Sequence, residues 1–432
     1  MRSNLVRIVS LFLLPLCLVL AQDPQTASPK ERVKQARDLG KQGSQAIPEL
    51  RKMLADRVTD VRIEAVKSIV EIGTQYSLDP LIQATKDNDP EVQIRATDGL
   101  VNFYLPGYVQ TGLTASLKRF GSSIKSRFTD TNDAVIDPYI QVRPEVIAAL
   151  GKLASGGSSM DARANAARAI GVLRGKAAIP DLAQALRSKD TTLMYECLIA
   201  MQKIRDKSAS DHITFLLRDP DDRVQIAALE TTGILQNRSA LSDLRSALDR
   251  ARNKKVARAA LTAIAMMPEE QNRKIFASYI QDRDDGLRAA AAEGYGRLRN
   301  AGDLPIIEKA FNEERKQSPR LSQAFALVLL GRTEMTEFSP LQYLANTLNS
   351  SARQGEAKAF LIELSRDVRI RATLESFLPK GTSEEKIQLA RILSISGDAK
   401  TLSALDTLSR DADANVAQEA LRAVRALKAR LQ

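Results

Sequence analysis

The 432-residue sequence predicts an all-α fold, an α-solenoid built from about eleven two-helix units with one long insertion. Three observations predict it. A short motif recurs about every 31 residues, apolar or small residues return within each copy at the spacing of one helix face, and a second apolar-periodic segment precedes each copy. Self-similarity at such a period is the mark of a stacked repeat, in which one elongated body replaces several compact domains.

The motif is plain in Asp60-Val61-Arg62-Ile63-Glu64-Ala65 and Glu91-Val92-Gln93-Ile94-Arg95-Ala96. It returns around Ala162, Leu193, Val224, Val256 and Leu287 in steps of 31, 31, 32 and 31, and less cleanly around Leu321, Ala357, Ile387 and Val416. Counting from each anchor, the small or apolar positions fall at plus 4, 5, 8 and 11, as in Ala65, Val66, Ile69, Ile72 or Ala166, Ala167, Ile170, Leu173. That spacing is one face of an α-helix. The preceding segment, for example Ala178-Ile179-Pro180-Asp181-Leu182, carries Pro near its first turn, where the missing N–H costs nothing. Gly73, Gly151, Gly171, Gly233 and Gly331 are expected at helix ends with positive φ. Asp56, Asp87, Asp190, Asp219, Asp249, Asp282 and Asp411 recur at the turn before the second helix and are expected to cap its free N–H groups. Arg62, Arg163 and Arg288 are expected to pair with such Asp residues along the stack.

These units resemble HEAT repeats, in the short form of bacterial HEAT-like proteins related to the phycobilin lyase type. The resemblance covers nearly everything from about residue 30 onward except the insertion. Ankyrin and tetratricopeptide units are of similar length, but their Thr-Pro-Leu-His and Trp/Gly/Tyr patterns are missing. The resemblance implies a right-handed superhelix whose second helices line a concave surface, in a family whose members mostly bind other macromolecules. Deoxyhypusine hydroxylase is also of HEAT type, but its di-iron site depends on repeated His-Glu pairs, and this chain has one His.

Residues 1–21 read as a cleaved secretory signal: Arg2 and Arg7 precede an apolar run from Ile8 to Leu20, and Val19 and Ala21 place small residues before a cut at Gln22. Cleavage lowers the formal charge from +11 to +9 and leaves Cys197 as the single thiol, so no internal disulfide is expected. A linker (22–29), an N-terminal cap with the first repeats (30–103), the insertion (104–142), central repeats (143–330) and divergent C-terminal repeats with a cap (331–432) complete the division. The insertion holds five of the 19 aromatics: Tyr104, Tyr108, Phe120, Phe128 and Tyr139. Leu113, Leu117, Phe120, Ile124 and Phe128 form an apolar face with Lys118, Arg119, Lys125 and Arg127 beside it, a pattern suited to a partner groove or an anionic membrane surface, or to folding back on the solenoid. Asp130, Asn132, Asp133 and Asp137 offer oxygen ligands, but without the Gly and distal Glu of an EF-hand no metal is expected.

Composition removes most catalytic chemistry. One His and two Cys cannot build a zinc site or a histidine-based centre, and no phosphate-cradling loop or nucleophile elbow occurs. Cys197 falls at the plus-4 slot held elsewhere by Ala65, Ala96, Ala166, Ala228 and Ala260, and is expected to act as a small core residue. His212 is expected on the surface at the start of a first helix. Arg95, Arg163, Arg168, Arg258, Arg288 and Arg297 lie on second helices and form a candidate basic track, interrupted by Glu64, Glu230 and Glu293. The 52 acids interleaved with the cations, together with export, count against nucleic acid as partner. The expected function is therefore a non-catalytic, exported scaffold, periplasmic or extracellular and without a cofactor. It binds a protein through the concave second-helix face and the 104–142 insertion, with Phe120, Phe128 and the cations just named as contacts. An anionic envelope polymer, a membrane surface or a bilin-type lyase activity are the alternatives.

Overall fold

A computed structural model of the chain describes residues 27–108 and 135–432. The signal region, Lys118, Arg119, Phe120, Lys125, Arg127, Phe128 and the Asp130–Asp133 cluster lie outside the described residues. Among those described, helices account for all regular structure. A first helix, Pro29–Gly40, is closed by a capping box in which the Ser28 hydroxyl accepts from Glu31 and Glu31 accepts from the Ser28 N–H. Eleven two-helix units follow. Their second helices are Thr59–Ile72, Pro90–Tyr104, Met160–Val172, Thr191–Ile204, Asp222–Ile234, Lys254–Ala265, Asp285–Leu298, Gln317–Leu329, Gln354–Leu364, Ser383–Ser396 and Ala414–Leu431. The first of them packs on Pro29–Gly40 and each later one on the second helix before it, and the buried apolar residues from Ala36 to Leu427 form one continuous core. Unit 5 departs from the pattern: two 3₁₀ pieces, Lys207–His212 and Thr214–Arg218, replace its first α-helix. Asp206 accepts from both the N–H and the hydroxyl of Ser208 there, and such local bonds compete with the α-helical ladder.

The expected glycine role holds at two positions and changes at the others. Gly73 (φ 57°) and Gly331 (φ 117°) are left-handed and follow second helices. Gly171 and Gly233 are helical and exist for a different reason. A Cβ on Gly171 would stand 2.7 Å from the Cα of Ala200, one on Gly233 2.8 Å from that of Ala263, and one on Gly296 2.6 Å from that of Ala326. Each glycine lets its second helix touch the backbone of the next across an alanine, at units 3–4, 5–6 and 7–8. The junction of units 4 and 5 is filled differently: buried Gln202 donates to Thr231 at 3.0 Å.

The aspartate caps are also displaced by two residues from the expected positions. Asp89, Asp221, Asp284 and Asp413 are the N-caps, each accepting from the first N–H groups of its helix. The predicted Asp87, Asp219, Asp282 and Asp411 instead accept from the N–H of those N-cap residues. Asp190 caps its helix directly, and Asp56 accepts from Val58 at 2.8 Å.

The residue after the anchor binds units together. Arg62 donates to the Asp56 carbonyl of its own turn and forks onto Asp87 of the next unit at 2.8 and 3.0 Å. Arg288 repeats this with the Asp282 carbonyl and Glu314; Arg371, on the first helix of unit 10, makes a similar pair of contacts with the Ser365 carbonyl and Asp398. Gln93 occupies the same place with the Asp87 carbonyl and Ser158. Arg163 does not pair as expected: Ser188 stands where the next carboxylate would be, and the guanidinium donates to the Ala154 carbonyl at 3.0 Å.

Arg297 defines the inside of the curve. From unit 7 it holds Glu293 at 3.0 Å, lies over the Phe325 ring of unit 8 at 4.9 Å, and forks onto Glu363 of unit 9 at 2.9 and 3.0 Å. A side chain spans alternate units only where their second helices converge, so the second-helix layer is the inner one.

Three outcomes follow from this packing. Gly233→Ala and Gly296→Ala lower stability by about 1–3 kcal/mol in urea titrations despite their helix propensity, whereas Gly355→Ala, with nothing within 4 Å, gains up to about 1 kcal/mol. Arg297→Ala costs about 3–5 kcal/mol by removing one member of a largely buried pair. Desolvation already holds the Glu293 carboxyl above the usual range, a stabilisation present at low pH and lost as pH rises through its folded value. Arg297→Ala is therefore most damaging at alkaline pH. In contrast, hydrogen bonds from Arg258 and Lys386 hold Asp284 and Asp411 below the usual carboxylate range, so their contribution is complete above about pH 4 and is lost as pH falls through the lowered values. Asp284→Asn makes the acid limb of a stability-against-pH curve shallower.

Candidate binding surface

The six arginines expected to form a basic track do lie on second helices, but they are not an open cationic face. Arg95 pairs with Glu91 at 2.6 Å, Arg168 with buried Glu196 at 3.0 Å, Arg258 with Asp284 at 2.5 Å, Arg288 with Glu314 and Arg297 with Glu293 and Glu363. Arg163 is held by a carbonyl. Arg168, Arg258, Arg288 and Arg297 are consumed in joining one unit to the next, whereas the contacts of Arg95 with Glu91 and of Arg163 with Ala154 lie within a unit. Glu64 is likewise held, by Arg37 and Lys67. Glu230 is exposed, yet burial in the surrounding hollow pushes its carboxyl above the usual range.

Cys197 is fully buried, and desolvation pushes its thiol upward, out of reach of nucleophilic chemistry near neutral pH. It shares complete burial with Ala65, Ala96, Ala166, Ala228 and Ala260 of the same slot. His212 is exposed at the end of a 3₁₀ segment. Among the described residues no group of three or more His, Cys, Asp or Glu side chains could hold a metal ion, and no helix is long and apolar enough to cross a membrane.

The flanks of the insertion are built into the solenoid. Tyr104 is buried at the end of unit 2, and its hydroxyl accepts from the Arg143 N–H at 3.1 Å, tying the stretch's departure to its return. Just before that return, Ile136 is buried and donates to the Val172 carbonyl at the end of unit 3. The next residue reaches across the molecule. Asp137 takes a two-pronged contact from Arg422 of unit 11, both prongs at 3.0 Å, and accepts from the Tyr139 hydroxyl at 2.9 Å. An ion pair spanning 285 residues joins the end of the insertion, held on unit 3 through Ile136, to the last unit and closes the curve.

Beside this contact lies a cavity of about 550 Å³ lined by Tyr139, Ile387, Arg391, Asn415, Gln418, Glu419, Leu421, Arg422 and Arg425. Arg391 is paired with Glu419 at 2.8 Å. Arg425 has no hydrogen bond or ion pair among the described residues and is exposed. Arg174 lies outside the lining of this cavity but close to Asp137, because the Ile136 N–H is bonded to the Val172 carbonyl, two residues before Arg174. Desolvation and neighbouring Arg205 push the Arg174 guanidinium below its usual value, and Asp137 acts in the opposite sense.

Arg174 and Arg205 were not singled out by sequence reasoning, although a signal exists. Both stand twelve residues after their anchors, as Gly73 does, and share its left-handed backbone with φ of 49° and 56°. Gln236 and Arg299 continue the series at 55° and 54°. A long side chain at a position suited to glycine costs on the order of 1 kcal/mol. Placed at a helix C-terminus, a cation recovers part of this through the helix dipole.

A family model described as HEAT repeats matches residues 15–101, 147–233 and 241–328. Among solved structures, the chain is similar to the complex of CpcE and CpcF of phycocyanin lyase from a Nostoc species, at 16% identity with a TM-score of 0.38, over 63% of this chain and 94% of that one. It is also similar to an engineered protein, at 18% identity and a TM-score of 0.37 over 88% and 98% of the two chains. Human deoxyhypusine hydroxylase follows, at 19% and 0.29 over 66% and 96%. No curated protein matches the sequence. The three matched stretches span more than half of the chain, and the protein belongs to the HEAT repeat family.

Proposed function

We propose that this protein is a non-catalytic, exported scaffold that binds a protein partner on the inner, second-helix side of the solenoid and through the 104–142 insertion. HEAT repeats generally mediate protein interactions. The observation that carries the reading is the closure by Asp137 and Arg422, which sets the root of the insertion against the inner face of the last unit beside the cavity. One partner could then engage both elements at once. The apolar residues Phe120 and Phe128, with Lys118, Arg119, Lys125 and Arg127, would supply the insertion's share.

An anionic envelope polymer is the second reading, and the guanidiniums of Arg174, Arg205 and Arg425, which have no ion pair among the described residues, support it. Salt separates the two, because contacts with a polyanion weaken steeply with ionic strength while a packed interface does not.

Crosslinking and affinity capture from the native envelope test the proposal with three baits: the chain from Gln22 onward, the same chain lacking residues 104–142, and a Lys118/Arg119/Lys125/Arg127 alanine variant. Enrichment of one protein by the first bait, retained at moderate salt and reduced at least about tenfold in the other two, is the expected outcome. Capture of no protein by any bait overturns the scaffold reading.

A further inference from the structure

The contact between Asp137-Pro138-Tyr139 and unit 11 is an acidic, aromatic peptide segment seated on the inner face of the solenoid. Arg422 grips its carboxylate from two directions, as a planar guanidinium does. Yet the segment does not satisfy the cations around it. Arg174, Arg205 and Arg425 have no ion pair among the described residues, while Asp137 and Glu419 already spend their charge on Arg422 and Arg391. Asn415 and Gln418 add amide side chains without a hydrogen bond among the described residues, and Leu421, 48% exposed, adds an apolar wall. The cavity thus pairs the open Arg425 with amides and aliphatic surface, while Arg174 and Arg205 stand on the other side of Asp137, outside its lining, an extended arrangement that suits a peptide rather than a bare ion.

Arg174 and Arg205 occupy a left-handed position of the repeat that Gly73, Gln236 and Arg299 share, so glycine fits both backbones.

We infer that the hollow between the C-terminal ends of the second helices of units 3 and 4 and the last helix is a docking site for an acidic, aromatic peptide of the partner protein. Its carboxylates are received by Arg174, Arg205 and Arg425, and the chain's own Asp137 competes for Arg422. This rests on the protein-binding reading above and names the partner's chemistry.

The probe is a fluorescein-labelled octapeptide, Glu-Asp-Pro-Tyr twice over, against an isosteric control with Gln and Asn in place of Glu and Asp, followed by anisotropy with the chain from Gln22 onward. The acidic peptide binds and the amide peptide does not. Arg174→Gly with Arg205→Gly lowers affinity about tenfold or more, the effect of losing charge-assisted hydrogen bonds, with no fall in Tm, since glycine suits both backbones. Arg425→Gln also weakens binding, and Asp137→Asn, which frees Arg422, strengthens it. Equal binding of both peptides, unchanged affinity in the double glycine variant, or displacement of the peptide by inorganic phosphate at matched ionic strength overturns the assignment. Capture of a protein partner that the acidic peptide fails to displace overturns this inference while leaving the scaffold reading intact.

Discussion

The structure depends on how closely one second helix approaches the next. A two-helix unit cannot bury its apolar face alone, so its stability comes from contact with its neighbours. Where Gly171, Gly233 and Gly296 meet Ala200, Ala263 and Ala326, the contact is backbone against side chain with no room for another methyl group. That constraint fixes the register between units. The register in turn sets which charges can meet: Arg62 finds Asp87 and Arg288 finds Glu314 because each is carried one repeat along a stack of defined spacing.

The same register sets apart two groups of arginines. Arg62 and Arg288, each one residue after an anchor, join units, with a carbonyl of their own turn and a carboxylate of the next. Arg174 and Arg205, each twelve residues after an anchor, sit beyond the helix end, are exposed and have no ion pair among the described residues. A net charge of +11 thus says little about any single surface until the internal pairs are subtracted.

Closure by Asp137 and Arg422 adds a long-range contact to an otherwise near-neighbour architecture. Each solenoid junction is local, so its curvature is the sum of many small rotations. One ion pair, from the end of the insertion anchored on unit 3 to unit 11, reports the total. Arg297 reaches Glu363 across unit 8, whose second helix is buried from Leu321 to Leu329.

Much was legible in the sequence because it is local. Helix faces follow from spacing, as the burial of Ala65, Val66 and Ile69 or Ala166, Ala167 and Ile170 shows. The same frame identified Cys197 as a core residue standing in an alanine slot, and placed the two-helix units through the divergent repeats after residue 330. The two-residue displacement of the aspartate caps was not legible, because an Asp three or five residues before the anchor looks equally able to reach a free N–H. Nor was the fate of Arg95, Arg168, Arg258 and Arg297, since periodicity gives the side of a helix but not whether a carboxylate waits opposite. Composition and period by themselves determined the fold class and the core, for these depend on contacts within a repeat and with its copy. Tertiary structure alone decided which cations remain open and that unit 11 meets Asp137, because both depend on the summed curvature of the stack.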